Sequence, residues 1–339
     1  MKILVGLSGG VDSTYAALKL INEGHEVSGA VLKMHEYTDV SGAATVADEL
    51  GIKLHVIDAT EAFSREVIPN FISEYVNART PNPCIICNER VKFRVLLDFA
   101  LANGYDMIAT GHYARVINQN GRYALADGMD KSKDQTYMLY RLPEDVLSHL
   151  LLPLAELEKK EVVRLSAAAG ISAAERKESQ EICFIPDNDY ASYIERAVGP
   201  SREGDFVDEE GRVLGRHKGI IHYTVGQRKG LGVSASARIF VKDIDPLTDR
   251  IVLSLENPPV KTFTVKDVVW SGVRALSQGE EIQLHVRVRY RAERAMCNVL
   301  CNADGTLSVT LHTPQPFVTR GQSAVFYLGD SVAFGGFIS

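Results

Sequence analysis

The sequence has no apolar run of membrane-spanning length, so no transmembrane helix is expected. Met1-Lys2 leads directly into a strand pattern, with none of the apolar stretch of an export signal, and a cytoplasmic chain is the expectation. Cysteine is sparse at five residues. In a reducing compartment these read as reactive, metal-binding or buried thiols, not as a disulfide framework. Positive charge is not in excess: 37 Lys and Arg stand against 43 Asp and Glu, a formal net charge of −6. That balance excludes a globally basic nucleic-acid binder, and an RNA substrate would need a local positive surface. Internal repeats and low-complexity tracts are also missing. What remains is 339 residues, 45% hydrophobic and 24% charged, the profile of a soluble globular protein with two or three cored domains.

Residues 5–13 read V-G-L-S-G-G-V-D-S. An apolar run over residues 3–7 predicts a buried parallel strand, and a helical pattern opens near Asp12. Gly9 and Gly10 let backbone approach an anion, Ser8 and Ser13 offer hydroxyls, and the helix start offers free N–H groups. Together they predict a phosphate cradle. It lacks the lysine that follows the glycines in G-x-x-x-x-G-K-[ST], so it is not that P-loop. It resembles instead the S-G-G-x-D-S pyrophosphate loop of enzymes that split ATP into AMP and pyrophosphate.

Strand and helix patterns alternate through the first half, with strands expected over 2–7, 26–33, 53–57 and 107–110 and helices over 12–22, 43–50, 61–77 and 89–103. This predicts a Rossmann-like α/β domain with a parallel sheet, whose ligands sit at the carboxyl ends of the strands. Further helical stretches fall between 133 and 193. After Gly199-Pro200 the patterning turns β-rich, predicting a small β-rich middle domain and a C-terminal β-barrel. The expected boundaries are 1–198, 199–258 and 259–339. Residues 286–294 (V-R-V-R-Y-R-A-E-R) read as a strand with Arg287, Arg289 and Arg291 on one face. By itself that reads as a solvated edge strand whose charges oppose aggregation.

Cys84 and Cys87 form a C-x-x-C approached through Pro81 and Pro83, with a helix expected to begin just after Cys87. That placement predicts a lowered thiol pKa. No second C-x-x-C or C-x-x-H completes a zinc site. Cys183 stands far away in an apolar run, and Cys297 and Cys301 read as structural residues of a C-terminal strand.

The set of segments 6–13, 79–93 (R-T-P-N-P-C-I-I-C-N-E-R-V-K-F), 109–115 (A-T-G-H-Y-A-R), 128–139, 179–185, 221–232 and 321–327 resembles the bacterial tRNA-specific 2-thiouridylases nearly end to end. The resemblance implies that ATP, with Mg²⁺, adenylates the C2 oxygen of the wobble uridine in the tRNA anticodon loop, and that sulfur then displaces AMP. It implies nucleotide contacts from Gly6, Leu7, Ser8, Gly9, Gly10, Val11, Asp12, Ser13, Leu32 and Gly111. Cys183 would carry a persulfide and Cys87 would release the sulfur. Asn82, Pro83 and Cys84 match the segment against the target base, and Lys133, Asp134, Gln135, Arg289 and Tyr290 match tRNA contacts, with Arg228 and Lys229 as further phosphate contacts. His112 and Tyr113 fall where they would line the base pocket or the nucleotide site.

Two features depart from the family's pattern. Cys84 replaces an Asp assigned to proton transfer, and residues 35–47 are shorter than in familiar members. Three cysteines also resemble the iron–sulfur tRNA thiolases, in which Cys84, Cys87 and Cys183 would hold a 4Fe-4S cluster. The sulfur donor is expected to be a cysteine desulfurase, a sulfur-relay protein or free sulfide, and a monomer is the default. The alternatives are another S-G-G-x-D-S enzyme, such as an amidotransferase-type synthetase, or a non-catalytic RNA-binding module. Neither accounts for the N-P-C-x-x-C and I-C-F-I segments together.

Overall fold

Five parallel strands organise the first half of the chain. This computed structural model describes residues 1–119, 121–172, 182–233, 238–256, 259–316 and 318–339. Ser179, Gln180 and Glu181 of one family-like segment, and part of the expected break at 257–260, lie outside the described residues. Strands β1 (Lys2–Gly6), β2 (Glu26–Lys33) and β3 (Leu54–Asp58) alternate with helices α1 (Val11–Asn22) and α2 (Ser41–Leu50). Helices α3 (Thr60–Glu66), α4 (Ile68–Val76), α5 (Pro83–Cys87) and α6 (Phe93–Ala102) lead to β4 (Met107–Ala109). A hairpin of β5 (Arg115–Gln119) and β6 (Arg122–Ala126) follows, then α7 (Thr136–Leu139), α8 (Glu144–Leu147), β7 (Leu150–Leu151), α9 (Lys159–Ala168) and α10 (Tyr190–Val198).

The parallel sheet has the order β3-β2-β1-β4-β7. Its direction of winding reverses between β1 and β4, the crevice where doubly wound sheets bind ligands. Ile3 and Val5 pack with α1 and α2 on one face, while Leu4, Ile108 and the residues of α3 to α6 fill the other. Strands buried on both faces explain the unbroken apolar runs in the sequence.

The helix expected over 61–77 is two helices meeting at Val67, because Pro69 in the first turn of α4 has no N–H to continue the ladder. The helix expected to begin after Cys87 begins earlier, at Pro83. Asn82 caps it by accepting from the Cys84 N–H at 3.2 Å, and proline suits the first helical position. Cys87 therefore ends α5 and lies inside a continuous helical stretch, not at a helix start. A single π-helical turn over Asn88–Lys92 joins α5 to α6, a distortion frequent at functional sites.

The middle sheet has the order β10-β11-β8-β9, from β8 (Gly204–Val207), β9 (Val213–His217), β10 (Phe240–Asp245) and β11 (Arg250–Ser254). The C-terminal strands are β12 (Val260–Trp270), β13 (Glu281–Arg287), β14 (Ala295–Cys301), β15 (Leu307–Gln315), β16 (Ser323–Leu328) and β17 (Ser331–Ile338). They run in the order β12-β15-β14-β13-β16-β17, and pairing of β12 with β17 closes them into a barrel. The hairpin β5–β6 joins this sheet from the first half of the chain, with Ala126 opposite Ser331. Cys297 and Cys301 are both buried in β14, as structural residues would be.

The strand expected over 286–294 stops at Arg287, and residues 288–291 bend and turn. Val286 and Val288 keep their burial, but Arg287 turns inward to pair with Asp134, which takes it out of any row of exposed arginines. No described helix is long and apolar enough to cross a membrane.

Candidate active site

Gly9, at φ 75°, lets the chain turn out of β1 and into α1 through a conformation that side chains disfavour. Within the loop the Ser8 and Ser13 hydroxyls lie 3.2 Å apart, and Ser13 Oγ donates to the Gly10 carbonyl at 3.1 Å. The hydroxyls and the free N–H groups at the start of α1 thus converge in one cradle.

Gly111, just after β4, closes the other side of the crevice. A Cβ there would fall 2.5 Å from the Asp12 carbonyl carbon and 2.6 Å from the Ser13 nitrogen. Both are backbone atoms, so no rotamer change relieves the clash. Gly111→Ala is expected to displace the loop and to weaken ATP binding by roughly ten- to a hundredfold, the equivalent of an overpacking cost of about 1–3 kcal/mol. Isothermal titration of the folded variant checks this. Leu32 is buried in the core cluster below the end of β2.

Asp12 ties the loop to two distant segments. It accepts Lys159 Nζ on both oxygens at 2.7 Å and the Tyr113 hydroxyl at 2.8 Å. Tyr113 is locked in turn by Gln135, which accepts from the Tyr113 N–H at 2.8 Å and donates its own N–H to the Tyr113 carbonyl at 2.9 Å. Lys159 escaped the sequence reading, which placed it only among the helical stretches between 133 and 193. His112 Nδ1 lies 2.8 Å from Thr110 Oγ1, and burial depresses its pKa to about 3, which keeps the ring neutral at working pH.

Around the cysteines, Cys84 is exposed at the start of α5, and Cys87 is buried with its sulfur 3.6 Å from that of Met34. Cys183 is exposed, and its neighbour Phe184 is anchored against Phe63, Phe71 and Tyr193 at ring-centroid distances of 5.3, 5.3 and 5.4 Å. The three thiols lie within electrostatic reach of one another. The environment of Cys87 reverses the activation expected of it. Desolvation pushes the Cys87 thiol up to about 11 and raises that of Cys183, with Lys92 pulling both down less strongly. A cavity of about 570 Å³ opens at the ends of β2 and β3, lined by Met34, His35, Phe63, Phe184, Tyr193 and Arg196 among others; Met34 and Phe184 connect it to Cys87 and Cys183, which do not themselves line it.

The two segments expected to meet tRNA are brought together across the domains. Arg287 Nη1 donates to Asp134 Oδ2 at 2.7 Å, and Arg294 pairs with Asp127 while its guanidinium lies 3.5 Å from the Tyr327 ring centroid. Asp134 is thereby buried, so what this pairing presents outward is the surrounding surface: half-buried Lys133, Arg289 and Tyr290. The barrel also reaches the cysteine segment. Gln322 donates to the Thr80 carbonyl at 2.7 Å, and the Thr80 N–H donates to the Arg320 carbonyl at 2.9 Å.

Three family models match in tandem. A tRNA methyl transferase HUP domain matches residues 1–187, a tRNA methyl transferase PRC-barrel domain residues 191–254, and an aminomethyltransferase beta-barrel domain residues 260–338. The chain is 38% identical to the tRNA-specific 2-thiouridylase MnmA of Clostridium acetobutylicum, over 99% of each chain. It is 41% identical to that of Clostridium botulinum strain Alaska E43, over 99% of this chain and 97% of the relative, and 40% identical to that of Clostridium perfringens, over 99% and 98%. Among solved structures, a 4-thiouridine synthetase–RNA complex with bound ATP aligns at 18% identity and a TM-score of 0.39, covering 58% of this chain and 50% of that one.

Proposed function

Because this chain belongs to the tRNA-specific 2-thiouridylase family, an assignment carried by its full-length relatives, we propose that its crevice activates the wobble uridine with ATP and that Cys183 and Cys87 deliver the sulfur. The enzyme is an ATP-dependent tRNA uridine thiolase. In the proposed sequence the uridine C2 oxygen attacks the α-phosphorus of ATP, and the Pα–O bond to pyrophosphate breaks. The terminal sulfur of a Cys183 persulfide then attacks C2 and AMP leaves with the bonding pair. Cys87 thiolate attacks Cys183 Sγ, the S–S bond breaks toward the new C2–S bond, and a Cys87–Cys183 disulfide remains for an external thiol to reduce.

The single observation that carries this division of labour is that Cys183 is exposed and Cys87 buried, with the two thiols within electrostatic reach of each other. An exposed thiol can meet a sulfur donor, and a buried one is kept for the internal step. The cavity falls in the size range of small-ligand pockets and has aromatic walls suited to a flipped base. Lys133, Arg289 and Tyr290 face the RNA in this reading, with Asp134 and Gln135 holding that surface in place and Asn82, Pro83 and Cys84 lying against the base. The sulfur donor is a cysteine desulfurase or relay protein of the cytosol, and the enzyme acts as a monomer.

A magnesium ion fits the crevice as a companion of the phosphates, since such ions take one or two carboxylates plus substrate oxygens, and Asp12 is the carboxylate present. It would neutralise phosphate charge there. The cluster alternative fits less well. Among the described residues no three His, Cys, Asp or Glu side chains gather as a metal-holding group, and Cys87 directs its sulfur at Met34. Protein purified anaerobically is expected to contain no stoichiometric iron or sulfide, and Cys84→Ala to thiolate within a fewfold of the parent. Stoichiometric iron lost together with activity in Cys84→Ala would restore the cluster route.

The function itself is tested by anaerobic thiolation of tRNA transcripts with ATP, with either sulfide or a cysteine desulfurase as donor. Failure with both would overturn it.

A further inference from the structure

We propose that Lys159 is the cation of a β,γ-phosphate subsite, doing from α9 what the lysine of a P-loop does from within its own loop. The inference rests on the ATP-splitting reading of the crevice. The loop of residues 8–13 contains no cation and one anion, Asp12. A bare carboxylate at the rim of a phosphate cradle repels a polyphosphate, so the site needs a compensating charge. The fold supplies it from 147 residues away: Lys159 Nζ bridges both Asp12 oxygens at 2.7 Å.

That placement is built. The Lys159 backbone N–H donates to Asp130 Oδ2 at 3.0 Å, which pins the first turn of α9. Val11, Ala16, Tyr113, Leu154 and Val162 form a small separate core that clamps α9 onto α1. The Lys159 side chain is 16% exposed and that of Asp12 26%, so the pair lies at the mouth of the crevice, not sealed beneath it.

In the empty enzyme Asp12 holds the ammonium in readiness. When ATP enters, the phosphate oxygens compete for Nζ as stronger, multiply charged acceptors. The Pα–O bond that breaks places its electron pair on the pyrophosphate oxygen, and Nζ–H donates to that leaving group. The Tyr113 hydroxyl, held by Gln135, keeps Asp12 oriented during the exchange.

The test is titration of ATP, pyrophosphate and AMP, each with Mg²⁺, into the full chain and its Lys159→Met and Lys159→Arg variants. Lys159→Met is expected to bind ATP and pyrophosphate about tenfold or more weakly, the value of a lost hydrogen bond to a charged group, and AMP within about twofold of the parent. Lys159→Arg should recover pyrophosphate binding. A purely structural lysine would lower AMP binding as much as pyrophosphate binding, and that outcome overturns the proposal, as does unchanged pyrophosphate affinity in Lys159→Met. A parent enzyme that binds no ATP would sink the ATP-splitting reading and this inference with it; parent and Lys159→Met binding equally well sinks the inference alone.

Discussion

Cys87→Ser is expected to cut multiple-turnover thiolation by on the order of 10³-fold or more, the scale seen when a nucleophile acting in concert with others is removed. The release step has no substitute, because a serine hydroxyl at neutral pH does not displace sulfur from a persulfide adduct. The variant should still take up labelled sulfur from a donor, since Cys183 is exposed and unchanged, and should still release pyrophosphate when tRNA and ATP are supplied. Cys183→Ser should lose both the labelled sulfur and the thiolation. The pairing of outcomes is the check: a Cys87→Ser enzyme that turns over normally removes Cys87 from the sequence of steps.

The reaction should also carry a pH signature. Desolvation holds the Cys87 thiol near 11, above its ordinary value, so the neutral form dominates below that pH. The thiolate fraction, and with it a rate limited by Cys87, rises about tenfold per pH unit between 7 and 9. Alkylation of Cys87 in the free enzyme, followed by mass spectrometry, should show the same slope.

The second large effect concerns the ion pair between Arg287 and Asp134. Arg287→Met is expected to destabilise the junction between the first domain and the barrel by up to about 3 kcal/mol, because it leaves the Asp134 carboxylate, whose side chain is 2% exposed, with only the Arg294 guanidinium at 4.0 Å for ion pairing. Asp134 also accepts from the Thr136 hydroxyl at 2.9 Å, and Thr136 Oγ1 lies 3.1 Å from the Tyr327 hydroxyl of the barrel, so its displacement propagates into both domains. Denaturant unfolding measures the loss. The double variant Arg287→Met/Asp134→Leu should recover much of it, since an apolar pair leaves no buried charge unmatched. Weaker tRNA binding in the single variant, with ATP binding intact, would place the effect on the surface around Lys133 and Arg289.

Much of this protein was legible in order along the chain. The strand–S-G-G–helix junction, the alternation of strands and helices, the turn to β patterning after Gly199 and the C-x-x-C are all carried by neighbouring residues, whose identities set local backbone geometry. The reading failed where local pattern and long-range packing disagreed. Residues 286–294 alternate as a strand should, yet the strand ends at Arg287, because a buried carboxylate 153 residues earlier in the sequence claims that guanidinium. Cys87 follows a proline and stands near a helix start in sequence, which reads as activation. The capping by Asn82 moves the helix start to Pro83, and burial then raises the thiol that the helix was expected to lower.

The sequence by itself pointed to the type of chemistry: a loop suited to phosphates, thiols suited to carrying sulfur and a sheet edge to place them. Only the tertiary structure decided which charges meet. It brought Lys159 onto Asp12, closed the crevice with Gly111 against the loop backbone, carried the hairpin of β5 and β6 into the barrel sheet and paired Asp134 with Arg287 across the domains. The physical reason is the same in each case. Burial and ion pairing depend on what surrounds a side chain in space, and residues more than a hundred positions away supply those surroundings.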